Sequence, residues 1–311
     1  MDVKSDCTSD CTINDYAQMK TRIFKKLTPY AYTAPTIILL VVLMVIPICM
    51  VIYYSFFDNV IATDTSTFVG MTHYKNLLSN SKFGDAVLHT TIFVILSTLF
   101  HIVLGITFAM MLNSKLISRV TKSTFRVIYI LPWVFTAAIV ATIWRIIFNP
   151  NGVLNYLLRT VGLISERITW LSDASITLYV LIFINIWSGY PFFMTSILAG
   201  LQSISQDIYE AAKVDGANGI QKFFWVTLPQ LKPILVSMTM LDCIWTTQQF
   251  SLVWMLTGGG PVNSTDVLGT YTYRLAFKNY KFSEASACAV LILIVILILS
   301  IFYVRLQHTE D

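Results

Sequence analysis

Six long apolar runs separated by short polar stretches set the pattern of this chain, at residues 31–57, 86–112, 127–148, 176–201, 234–256 and 285–304. A helix needs about 20 residues to cross roughly 30 Å of hydrocarbon, and each run meets that length. The connections are too short for a soluble catalytic domain. The pattern therefore predicts an all-α, polytopic membrane protein with six transmembrane helices. Its expected divisions are a cytoplasmic tail over residues 1–28, a six-helix membrane domain over 29–306 and a cytoplasmic tail over 307–311. The first run follows a long charged lead, exceeds the length of a signal-peptide core and shows no small-x-small cleavage site, so it reads as an uncleaved span. The tail before it is rich in Asp, Ser and Thr without apolar periodicity and is expected to be mobile.

Composition supports this class. With 56% hydrophobic residues, 12% charged residues and a mean hydropathy of +0.68, the chain lies outside soluble globular usage. The net charge of +4 is too small to suggest a nucleic-acid face. Its distribution sets an orientation. Lys20, Arg22, Lys25 and Lys26 precede the first run, Lys115, Arg119, Lys122 and Arg126 fill the second connection, and Lys213, Lys222 and Lys232 lie in the fourth. The alternate connections hold fewer. The positive-inside rule then places both termini and the Glu210 loop of this multi-pass protein in the cytoplasm.

Catalytic chemistry has no visible constellation. No Gly-Lys pair occurs, so the chain lacks the loop whose amides and lysine cradle phosphate, and it is not expected to hydrolyse ATP itself. His73, His89, His101 and His308 show no metal-ligand spacing. Cys7 and Cys11 are four residues apart without companion ligands, so a solvated tail and a metal site are both open, the tail being the simpler reading. Cys49, Cys243 and Cys288 fall in or beside apolar runs and read as small hydrophobes. No catalytic residue, metal or bound cofactor is expected.

The most informative polar stretch is the loop over residues 202–229. Ser203 and Gln206 fit a capping box, Ile208, Ala211 and Ala212 give a narrow face of mostly small side chains, and Gly216 permits the left-handed backbone that ends a helix. A short helix beside the membrane is predicted. The stretch Glu210-Ala211-Ala212-Lys213-Val214-Asp215-Gly216, followed after nine residues by Val226-Thr227-Leu228-Pro229, resembles the E-A-A signature of permease subunits of binding-protein-dependent ABC importers. Thr257-Gly258-Gly259-Gly260-Pro261, Glu284-Ala285-Ser286-Ala287 and Phe68-Val69-Gly70-Met71-Thr72-His73-Tyr74 extend the likeness to maltose-type sugar permeases, His73 standing where that family usually has Asn.

The resemblance implies a MetI/MalF-like ABC importer permease fold with a short cytoplasmic coupling helix. It implies that Glu210, Ala211, Ala212, Asp215 and Gly216, with Leu228 and Pro229, dock a separate ATPase. The implied partners are a second permease chain, two copies of an ABC ATPase subunit that use ATP and Mg, an extracytoplasmic solute-binding protein, a sugar substrate and the membrane lipid. The implied mechanism is alternating access.

A solute site needs polar side chains turned into a cavity rather than into lipid. In the fifth run Asp242, Thr246 and Gln249 recur at i, i+4 and i+7, with Trp245 and Gln248 beside them. Such a flank offers hydrogen bonds and an aromatic face to a sugar. Packing against the partner permease, with Asp242 paired to a cation of that subunit, is the competing reading. Trp187, Tyr190 and Trp144 are weaker candidates that also suit a core. Asp242 would repel an anion, and Arg145 is the only Lys or Arg within the six runs, which favours a neutral sugar over a phosphate ester. A polyol or glycerol phosphate permease is the alternative; an ion-coupled carrier would not need the docking helix.

Overall fold

A computed structural model describes residues 28–58, 66–114 and 116–308. The N-terminal tail through residue 27, including Cys7 and Cys11, lies outside the described residues, as do Lys115 and residues 309–311. The described residues fall into two compact units, divided after Tyr54.

Within the first unit, α1 (Thr28–Tyr54) is a single apolar helix. A π-helical turn at Val41–Val45, closed by Ile46 N–H donating to the Val41 carbonyl, lies just before Pro47. Proline cannot donate to the preceding turn and its ring crowds that turn's carbonyl, a strain that a wider turn relieves. None of the helix's apolar window is buried. A helix apolar all round suits lipid or another apolar surface.

The second unit opens with a two-stranded antiparallel pair, β1 (Phe57–Asp58) and β2 (Thr67–Phe68), in which Phe57 faces Phe68. The short α2 (Thr72–Leu78) follows. α3 (Ser81–Asn113) is capped by Asn80, whose Oδ1 accepts the Lys82 amide at 3.0 Å. α4 (Arg119–Val134) and α5 (Ala137–Ile147) form a pair bent by 99°. The bend arises where Phe135 and Thr136 both turn extended and the Thr136 hydroxyl caps α5. α6 (Val153–Thr160) lies before α7 (Thr177–Ser203), the most enclosed span.

α8 (Gln206–Val214) is followed by α9 (Gly219–Lys222), a π-helical turn at Phe223–Thr227 and α10 (Leu228–Thr247), all with helical backbone from Gly219 to Thr247. α11 (Ser251–Leu256), α12 (Leu268–Phe277) and α13 (Phe282–His308) complete the chain. Buried Asp266 ion-pairs with Arg274, which also donates to Asn263, tying the connection after α11 to α12. Burial holds the Arg274 guanidinium below its usual pKa.

Four described helices, α1, α3, α7 and α13, are long and apolar enough to cross a bilayer, and the bent α4–α5 pair makes five. The predicted span at 127–148 is thus a broken one. The predicted span at 234–256 is also divided, because helix α10 starts earlier, at Leu228, and stops at polar Gln248 before α11 resumes at Ser251. α3 and α7 pack along much of their lengths. Phe93, Leu181, Ile184 and Val253 fill one end of the core, and Ala109, Phe193, Met194 and Leu231 the other.

Candidate functional site

Two regions carry candidate function. The first is the loop around α8. Its N-cap is Ser205, whose hydroxyl accepts the Asp207 amide at 3.3 Å, rather than Ser203, which remains in α7 and donates to the Gly200 carbonyl. The predicted capping box at Ser203 and Gln206 is therefore corrected. The reciprocal box in this loop is Asn218 with Gln221, which launches α9. Asp207 in the first turn and Lys213 in the last suit the helix dipole.

Gly216 ends the helix at φ +80°, its N–H donating to the Lys213 carbonyl while Ala217 N–H reaches the Ala212 carbonyl. Those two bonds define a Schellman stop. Glu210, Ala211, Asp215, Gly216 and Pro229 are exposed; Ala212 and Leu228 are partly buried. Ile220 is 71% and Trp225 80% exposed, so the same loop presents apolar surface.

One contact in this loop escaped sequence reasoning. The Thr227 hydroxyl donates to the Lys222 carbonyl at 3.3 Å, leaving its lone pairs for the Tyr209 hydroxyl at 3.0 Å. This joins α8 to the π-helical turn that runs directly into α10. Tyr209→Phe removes one hydrogen bond, worth about 1 kcal/mol, while keeping the ring. The expected result is a normal amount of protein in the membrane with faster amide hydrogen exchange over residues 206–227; unchanged exchange would reduce Tyr209 to packing.

The second region is a cavity of about 220 Å³ lined by Asp242, Trp245, Thr246 and Gln249 from α10 and the segment after it, by Asn185 from α7, and by Trp133 from α4. Phe135 at the α4–α5 bend and Leu252 of α11 also line it, so the α4–α5 bend and the break between α10 and α11 both border it. Gln248 points elsewhere and is exposed. Trp187 packs edge-on to Trp144 at 5.3 Å, and Tyr190 is buried against Phe108 at 5.2 Å; neither lines the cavity.

Asp242 finds its partners within this chain. Its Oδ2 accepts from the Thr98 hydroxyl at 2.5 Å and meets His101 Nδ1 at 3.0 Å, while Thr246 lies 3.5 Å from Oδ1. His101 Nε2 reaches the Asn185 carbonyl at 3.1 Å. A carbonyl can only accept, so Nε2 carries its proton. Nδ1 then faces Oδ2 across one further proton, and the pair has no net charge whichever atom holds it. This overturns the expectation that a bare Asp242 repels anions, and with it that argument for a neutral sugar.

The pairing had a visible signal: a histidine inside an apolar run is costly without a partner. Thr98 and His101 sit near the middle of α3, and Asn185 a third of the way along α7, which places the network well inside two helices long enough to span a bilayer. Gln249 Nε2 donates to Asn185 Oδ1 at 3.3 Å, orienting both amides at the cavity wall.

A polar cavity bordered by interrupted helices, in a chain of apolar spans, is the arrangement of a transport permease. Residues 101–309 match the family described as binding-protein-dependent transport system inner membrane component, and this chain belongs to that family. It is 30% identical over 281 residues to the trehalose/maltose transport system permease protein of Thermococcus litoralis, covering 89% of this chain and 92% of that protein. A bacterial ABC transporter involved in the import of the acidic polysaccharide alginate contains a chain with TM-score 0.82 and 25% identity, covering 94% of this chain and 99% of that one. A bacterial alginate ABC transporter in complex with alginate pentasaccharide-bound periplasmic protein gives TM-score 0.79 at 26% identity, covering 91% and 96%.

Proposed function

We propose that this chain is the pore-forming permease subunit of an ATP-driven, binding-protein-dependent importer for a sugar or oligosaccharide. The observation that carries the site is a cavity bordered by the α4–α5 bend and the α10–α11 break, with Asp242, Thr246, Gln249 and Trp245 on its wall. Transporter solute sites form where interrupted helices leave polar groups facing a cavity instead of lipid. The sugar class is supported by the trehalose/maltose and alginate systems to which the chain is similar.

The remaining parts are supported by the likeness of the Glu210–Gly216 stretch to the E-A-A signature and by the family match. A chain without a phosphate-cradling loop takes its energy from separate ATPase subunits, which use ATP and Mg and dock on Glu210, Ala211, Ala212, Asp215 and Gly216. Leu228 and Pro229 carry that contact toward α10. A second permease chain supplies the other half of the pore, and an external solute-binding protein delivers the sugar. Both termini lie in the cytoplasm. ATP binding turns the pore outward and hydrolysis resets it, by rigid-body movement between two packings.

The first test is purification of a tagged copy from native membranes in mild detergent, with its companions identified by mass spectrometry. An ATPase and a second permease, both lost when residues 210–216 are replaced, are the expected result. Robust purification without an ATPase would sink the reading. At the cavity, Trp245 is 53% exposed and stands 5.2 Å from the Phe192 ring. An aromatic contact is worth about 0.5–1.5 kcal/mol, so Trp245→Ala is expected to raise the KM for uptake about two- to tenfold at unchanged membrane abundance. An unchanged KM would remove Trp245 from the solute path.

A further inference from the structure

The His101–Asp242 pair has an architectural support that the transport function alone does not require. His101 is 1% exposed and Asp242 7%, both inside a membrane domain. The imidazole lies against α7 at Gly189, where any Cβ would collide with ring atoms Nε2 and Cε1. Three helices thus converge on one ring: α3 supplies it, α7 provides the notch and the Asn185 carbonyl, and α10 presents the carboxylate. Thr98 closes the remaining approach to Oδ2, while Asp242, Asn185 and Gly189 all border the cavity.

We propose that His101 is the positioning residue of this cavity: it holds Oδ2 of Asp242 against α3 and cancels its charge, so that the cavity receives solutes bearing a carboxylate as readily as neutral ones. The proposal rests on reading the cavity as the solute site. An unmatched carboxylate a few ångströms from a bound anion would repel it strongly even at the effective dielectric of a protein, about 20. Matched by His101, that repulsion is gone, and Oδ1, lightly held by Thr246, is left to accept a hydroxyl from the cavity side. A carboxylate is recognised here by tolerance rather than by a cation: no Lys or Arg among the described residues lines this cavity.

The test uses the co-purified complex in lipid nanodiscs with His101→Gln, Asp242→Asn and the double variant. Thermal unfolding reads the pairing itself. His101→Gln should lower the midpoint, and the double variant should regain most of the loss, because it removes the unmatched charge. A double variant no more stable than His101→Gln would overturn the pairing.

Solute selectivity is read with two probes, maltotriose and trigalacturonate, by the quenching of the Trp245 component of the fluorescence, with Trp245→Phe as blank. Wild type should bind both within about threefold of each other, His101→Gln should lose trigalacturonate by at least about tenfold while keeping maltotriose, and the double variant should recover it. Equal loss of both probes in His101→Gln would mark His101 as structural and overturn the selectivity claim. If wild type binds neither probe, the sugar reading of the cavity fails with the selectivity claim, while the unfolding comparison still decides the pairing.

Discussion

Gly216→Pro is expected to abolish uptake while leaving the permease in the membrane at its normal amount. Gly216 sits at φ +80°, and proline is held near −65°, so the backbone that turns the chain out of α8 cannot form. Proline also lacks the N–H that donates to the Lys213 carbonyl, and the changed turn carries Ala217 away from the Ala212 carbonyl. Two net hydrogen bonds of about 1 kcal/mol each and the left-handed turn are lost together. Because α8 is short and exposed on most of its surface, little else holds its C-terminal end in place. Gly216→Ala keeps both donors and carries only the left-handed strain of about 1–2 kcal/mol, so it should retain partial uptake. Uptake normalised to membrane abundance, with recovery of the ATPase in a pull-down, separates the two variants. Wild-type uptake by Gly216→Pro would refute the docking role of the loop.

Gly189→Ala is expected to have the other large effect, through a different cause. The added Cβ occupies the space of the His101 ring, so the imidazole must leave both the Asn185 carbonyl and Asp242. Removing one member of a buried pair typically costs about 3–5 kcal/mol, because the other charge stays behind. The expected result is a marked fall in the thermal midpoint of the purified complex and loss of uptake. Gly84→Ala in α3 is the matched control, since nothing lies within 4 Å of a Cβ there. That substitution should leave both readouts unchanged or slightly raise stability. Similar behaviour of the two alanines would mean that the Gly189 notch does not hold the pair.

The apolar runs were legible because span length and hydrophobicity are local properties of the chain. The Gly216 stop was legible for the same reason, since one residue type suits one backbone region. The breaks at Phe135 and Gln248 were not. Both runs continue across their breaks with residues that a helix would accept, and the interruptions become visible only in the packing around the cavity. His101 shows the other limit: its partner Asp242 is 141 residues away, and no local spacing links them. The choice of Ser205 over Ser203 as the cap turned on where α7 stops, a boundary set by tertiary contacts of Leu201 rather than by the serines themselves.

The π-helical turn at Phe223–Thr227 has a consequence for phase. One extra residue sits in an otherwise continuous helical backbone from Gly219 to Thr247, and each α-helical residue turns the axis by about 100°. The wide turn takes up one residue more than an α-turn over about the same rotation, so a residue removed within Phe223–Thr227 lets the turn close as α-helix and keeps the bearing of the loop before it. The same deletion between Leu228 and Asp242 would swing that loop by about 100° relative to Asp242.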